Sequence, residues 1–137
     1  METKIIKISS VEEREKIKEA AQALVDGKLV VFPTETVYGL GADGRKEETA
    51  KRIYEAKGRP ADNPMILHIA EEEQVEELAS EIPQVAKDCM TMFWPGPLTI
   101  IFKRKSSVPD MVTAGLDTVA VRMPSHPIAR AILKEAN

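Results

Sequence analysis

The chain has 137 residues, 43% of them hydrophobic and 30% charged, with 19 Lys and Arg against 22 Asp and Glu for a net charge of −3. This is the size and composition of one soluble globular domain with a real core, and the negative balance argues against an overall electrostatic attraction to nucleic acid. No apolar run approaches the roughly 20 residues that span a bilayer, the N-terminus lacks the charged start and apolar centre of a signal peptide, and the lone Cys89 allows no internal disulfide, so the expected location is the cytoplasm.

Lys4 to Ile8 alternates polar and apolar residues as a half-buried strand does. Ser10 with Glu13 predicts a capping box, and Ile17, Ala20, Ala21, Leu24 and Val25 share one helical face before Gly27, a plausible C′ residue. Leu29 to Phe32 reads as a strand buried on both faces, followed by a polar Thr34-Glu-Thr36 turn and a second strand broken by Gly39 and Gly41. A helix is predicted from Glu47 to Lys57, leaving through Gly58 before Pro60. Met65 to Ile69 is an apolar strand holding His68, and an acidic helix follows from Glu71 to Ala79. The next helix, Pro83 to Trp94, presents Val85, Ala86, Cys89, Met90 and Phe93 as a core stripe. Trp94-Pro-Gly-Pro97 turns the chain into a strand at Leu98 to Phe102, then Ser106 to Gly115 is a loop. Thr118 to Met123 is a strand stopped by Pro124, and Ser125 is placed to cap a last helix with Pro127 in its first turn.

Several stretches carry candidate chemistry. Pro33 beside the hydroxyl and acid side chains of 34–36 puts donors and acceptors on a stiff support, suited either to a small-molecule site or to an ordinary β-turn. Gly39-Leu-Gly41-Ala-Asp-Gly44 fits G-x-G-x-x-G but lacks the acidic strand end about 20 residues on that a dinucleotide ribose requires. Lys57 and Arg59 flank a glycine and can converge on one anion, phosphate being the natural guest; equally they can answer a helix dipole. His68 is a rim or core histidine or a ligand group. With His126 the only other histidine, no zinc set is readable. Arg122 stands at the C-terminal end of an apolar strand, where α/β proteins present ligand-binding groups, unless it is salt-bridged to an acid. Cations gather at 45–59 and at 103–105, around an acidic stretch at 71–88. A locally basic cleft on an acidic protein would suit an anionic small ligand.

Phe32-Pro-Thr-Glu-Thr-Val-Tyr-Gly-Leu-Gly41, Lys57-Gly-Arg-Pro-x-x-Asn63-Pro64, Ile66-Leu-His68, Trp94-Pro-Gly-Pro-Leu-Thr99 and Thr118-Val-Ala-Val-Arg122-Met-Pro124 closely resemble, in order, the motifs of the YrdC/TsaC family of L-threonylcarbamoyladenylate synthases. The resemblance implies an α/β fold with a twisted mixed β-sheet, flanking helices and a concave, locally basic groove. It implies an enzyme that condenses L-threonine, bicarbonate or CO2, and ATP to threonylcarbamoyl-AMP and pyrophosphate, with Mg2+ on the ATP and no protein-bound metal. A threonylcarbamoyl-transferase complex, and tRNA, are the implied partners. By motif, Thr34, His68 and Arg122 would hold threonine, and Arg59, Asn63 and Thr118 would hold ATP. Lys57 and Arg59 would bind the phosphates and stabilise charge at the attacked phosphorus. The family continues further, with a Ser-x-Asn motif, so residues 1–137 are expected to be a YrdC-like domain lacking its C-terminal part. A carbamoyl-transfer domain of the hydrogenase-maturation type and a non-catalytic RNA-binding module are the rival readings.

Overall fold

The computed structural model describes residues 2–58 and 64–136. The elements follow as α1 (Arg14–Val25), β1 (Val30–Pro33), β2 (Tyr38–Gly41), α2 (Glu47–Lys57), β3 (Ile66–His68), a 3-10 turn (Glu72–Gln74) running into α3 (Val75–Leu78), α4 (Gln84–Phe93), β4 (Thr99–Lys103), α5 (Asp110–Thr113), β5 (Thr118–Arg122) and α6 (Pro127–Ala136). Among the described residues the strands form two sheets rather than one: an antiparallel β1-β2 hairpin and a mixed sheet of order β3-β5-β4, with β3 parallel and β4 antiparallel to β5.

Local chemistry accounts for the element ends. α1 closes in a Schellman motif: the Lys28 N–H reaches Ala23 O at 2.9 Å and the Gly27 N–H reaches Leu24 O at 3.0 Å. Gly27 takes φ +79°, as a C′ residue must. The start of α1 differs from expectation. Glu13 is the N-cap without a side-chain cap bond, because the Ser10 hydroxyl is spent on the Glu12 N–H, 3.1 Å, and the Glu13 carboxylate on the Ser9 N–H, 3.0 Å. Residues 4–8 form no strand. They run beside α1, where Lys16 donates to Lys7 O at 2.8 Å and Lys4 pairs with Glu19. At α6 the cap is His126, whose Nδ1 accepts the Ile128 N–H at 3.2 Å, while Pro127 is the first helical residue as its missing N–H favours.

Two apolar cores result. One gathers Ile17, Ala20, Ala21 and Leu24 of α1, Phe32 of β1, and Ala129 and Ile132 of α6. The hairpin lies on this core by one face only, since Phe32 is buried while Val31 is 63% exposed, against the expectation of a strand covered on both sides. Gly41 of β2 makes room for that ring: a Cβ there would fall 2.6 Å from Phe32 Cε1. Gly41 thus has a packing reason that needs no ligand.

The other core lies under the mixed sheet. Val119 and Val121 of β5 with Phe102 of β4 pack on Val75, Ala86, Met90 and Val112, with Leu67 and Ile100 against them. In α4 only Ala86 and Met90 of the expected stripe are buried; Cys89 is half-buried and Phe93 is 53% exposed. The loop expected over 106–115 contains α5, held by Arg104, which reaches Val108 O and Thr113 Oγ1, both at 3.1 Å, and Asp110 Oδ1 at 2.5 Å.

Candidate functional site

Side chains alternate along a strand, so Val119 and Val121 facing the core turn Thr118, Ala120 and Arg122 to the other side. Register carries this face across the sheet: His68 and Thr99 are level with Arg122, Ile66 and Ile101 with Ala120, and Lys103 with Thr118. The middle row is uncovered, with Ile66 44% and Ile101 68% exposed. Small Ala120 therefore separates two polar rows on an open floor, about 13 Å apart along the strand at four residues' rise.

The Arg122 row is roofed. Arg122 is buried; its Nε donates to Gly96 O at 3.1 Å, and its Nη2 pairs with Glu35 Oε1 from the hairpin turn. The second oxygen of Glu35 accepts the Ser125 N–H at 3.1 Å. Desolvation pushes the Glu35 carboxyl upward, but its own backbone N–H, Arg122 and Ser125 outweigh this and bring it down to about 2. His68 stands beside Arg122, with the Phe32 ring edge-on to it at 5.8 Å between centroids and 84° between planes. Burial, reinforced by the Arg122 charge, outweighs a hydrogen bond to the Ile66 backbone and the Glu35 charge and holds the imidazole below its usual range. It is therefore neutral at pH 7, with its one N–H engaged by the Ile66 backbone and the other ring nitrogen an acceptor.

Thr34 shapes the turn that carries Glu35. Its hydroxyl donates to Val37 O at 2.5 Å and accepts the Val37 and Thr36 N–H groups at 3.2 and 3.3 Å. Gly96 fixes the other wall. Its N–H donates to Met123 O at 2.8 Å, Trp94 Nε1 closes the same loop on Leu98 O at 2.7 Å, and a Cβ on Gly96 would meet Phe93 O at 2.7 Å.

The sequence-predicted residues thus divide. His68 and Arg122 stand side by side, and Thr34 belongs to the turn docked on Arg122. Thr118 shares their face at the far row. Lys57 is exposed at the last turn of α2, before Gly58 at φ +63°, and the chain enters the sheet at Ile66 from the Thr118 end. Arg59 and Asn63 lie outside the described residues. Glu35 and Gly96 were missed by sequence reasoning, although both stand inside the quoted motifs. A salt bridge from Arg122 was foreseeable, but its partner is 87 residues away and nothing local names it. Among the described residues no group of three or more His, Cys, Asp or Glu could hold a metal ion, and no helix is long and apolar enough to cross a membrane. A cavity of about 420 Å3 opens elsewhere, beside Leu24, Asp43, Arg45, Leu67, Pro109 and Leu133. It touches His68 but not Thr34, Lys57, Thr118 or Arg122.

Against proteins of known name, the chain is 55% identical over 132 residues to the threonylcarbamoyl-AMP synthase of Pyrococcus abyssi, covering 96% of this chain and 39% of that protein. It is 52% identical over 121 residues to the threonylcarbamoyl-AMP synthase of Bacillus subtilis, covering 88% of this chain and 35% of that one. The chain therefore spans well under half the length of these relatives. Among solved structures, P. abyssi Sua5 complexed with L-threonine superposes with a TM-score of 0.88 at 56% identity, over 89% of this chain and 36% of that one. The mixed α/β architecture expected from the motifs is the one these relatives share. The Sua5/YciO/YrdC family model, described as telomere recombination, matches residues 22–137, and the chain belongs to that family.

Proposed function

We propose that this chain is the substrate-binding part of an L-threonylcarbamoyladenylate synthase, which condenses L-threonine, bicarbonate or CO2, and Mg2+-ATP to threonylcarbamoyl-AMP and pyrophosphate. The observation that carries the reading is the sheet face with two polar rows: neutral His68 beside Arg122 under the hairpin turn at one end, and Thr118 at the end from which β3 starts. In this reading Arg122 takes the threonine carboxylate as a charge-assisted pair, with His68 and the Thr34 turn around the amino acid. Thr118, Asn63 and Arg59 hold ATP. Lys57 and Arg59 gather the phosphates and neutralise charge developing at the α-phosphorus when the carbamate oxygen attacks it. The spacing of about 13 Å between rows suits one extended ligand, an amino acid joined through a carbamoyl group to a nucleotide. A positioned phosphorus and neutralised charge suffice for such an adenylation, with no nucleophilic side chain required. The product would pass to a threonylcarbamoyl-transferase complex acting on tRNA, in the cytoplasm.

The test is calorimetric titration with L-threonine and Mg2+-ATP, followed by an assay for pyrophosphate with bicarbonate present. Both ligands bind, Lys57→Ala weakens ATP binding, and Arg122→Ala abolishes threonine binding. Folded protein that binds neither ligand refutes the reading. Binding to tRNA that falls steeply with salt and ignores both ligands would replace it with the RNA-binding alternative.

A further inference from the structure

We propose that Glu35 is a positioning residue for the amino-acid subsite: it locks the Arg122 guanidinium into one orientation and fastens the 34–37 turn over it. The inference rests on the reading that Arg122 receives the substrate carboxylate. A free arginine side chain samples many rotamers, and a bidentate grip on a carboxylate requires one of them. Here two acceptors distant in sequence hold the guanidinium, Gly96 O on Nε and Glu35 Oε1 on Nη2. Its remaining N–H groups have no protein partner among the described residues and are left to a ligand.

Glu35 is itself anchored. One carboxylate oxygen holds Arg122 and the other accepts the Ser125 N–H at 3.1 Å, just past the end of β5. The Thr34 hydroxyl closes the turn behind it. The carboxyl is ionised down to about 2, so the pair stays charged throughout the working pH range. A carboxylate on this arginine can alternatively be pictured as occupying the place of the substrate's own. Its second anchor favours the positioning role, because a displaced Glu35 would leave the Ser125 N–H without its acceptor.

The two ideas predict opposite signs, and the experiment measures the sign. L-threonine affinity is compared calorimetrically in wild type, Glu35→Gln and Glu35→Ala, with Mg2+-ATP affinity as the internal control. Independently, the Arg122 Nε–H signal is followed by 15N NMR, assigned through Arg122→Lys. Threonine affinity falls about tenfold or more in Glu35→Ala and by less in Glu35→Gln, with ATP affinity changed by less than about twofold. The Nε–H signal, slow to exchange in wild type, broadens in Glu35→Ala. Threonine affinity unchanged or tighter, or an Nε–H signal indifferent to Glu35, overturns the proposal. If wild type fails to bind threonine while the Nε–H signal still depends on Glu35, the threonine assignment falls and the hold of Glu35 on Arg122 stands. Glu35→Gln, isosteric with the native residue, keeps the comparison valid should Glu35→Ala prove poorly folded.

Discussion

Gly96→Ala tests the wall of the site without touching any residue assigned to a ligand. The added methyl would stand 2.7 Å from the Phe93 carbonyl oxygen, a backbone atom at the end of α4 that cannot rotate away as a side chain would. The loop must therefore shift, and Gly96 lies between two bonds that resist: its N–H to Met123 O at 2.8 Å and its carbonyl to Arg122 Nε at 3.1 Å. Overpacking of this kind costs about 1–3 kcal/mol, and weakening a bond to a charged donor about 1.5–3. The two overlap, so the net loss is about 3 kcal/mol, or about 10 °C in Tm for a domain of this size. Gly115→Ala is the control, because its φ of +79° strains an alanine although no atom lies within 4 Å of the new methyl. It costs about 1 kcal/mol. The assay is thermal denaturation by circular dichroism, paired with threonine titration. Gly96→Ala loses both stability and threonine affinity, whereas Gly115→Ala loses a little stability alone. Equal effects at the two glycines, or a Gly96→Ala protein melting with wild type, would refute the reasoning.

The two faces of the mixed sheet differ in the same measurement: Val121→Ala, at 0% exposure, destabilises by about 2–3 kcal/mol, while Ile101→Ala on the open face stays within about 0.5 kcal/mol. Arg104→Ala removes the contacts to Val108, Asp110 and Thr113, loosening α5, and lowers stability by about 2 kcal/mol in urea denaturation. Two components of the pH dependence of Tm trace to this site. His68 is depressed below 6.5, so the unfolded chain takes up its proton first; the stabilisation is full above pH 6.5 and is lost as pH falls through the lower folded value. A melting profile of His68→Gln is flatter just below pH 6.5. Glu35 is depressed from 4.5 to about 2, so its contribution, on the order of 1 kcal/mol once solvent screening is allowed for, is present above pH 4.5 and disappears between 4.5 and about 2. Glu35→Gln removes that component.

The helices were legible where a local signal marks them. Glu47–Lys57 with Gly58 as its left-handed cap, and Gly27 as the C′ residue of α1, depend only on neighbours in sequence. The strands around Leu67, Ile101 and Val121 were legible as apolar runs, but not their order or which face stays open, because that depends on pairings between distant segments. Val31 and Phe93 show the same limit: an apolar residue in a periodic pattern is buried only if another element arrives to cover it, and here none does among the described residues. Residue types alone mark His68 and Arg122 only singly; the family motifs group them, and their shared register makes them neighbours. Glu35 was invisible for a further reason. A glutamate between two threonines looks solvated until the other end of the chain supplies its cation.

Phe32 sits in the core formed by α1 and α6, and its ring edge also touches His68 on the mixed sheet. The hairpin thereby joins the two cores through this aromatic contact and the Glu35 pair beside it, in addition to the Arg52 bond to Gly27 O at the end of α1 and the Lys134–Glu71 pair from α6. Amide exchange of α1 and of β5 should then share one opening reaction, and Phe32→Leu should weaken that coupling, so that the two opening free energies move apart. A cooperative unit seamed along its ligand groups gains stiffness across the whole domain when the seam is occupied, so substrate binding would slow exchange in α1, whose residues lie outside the site.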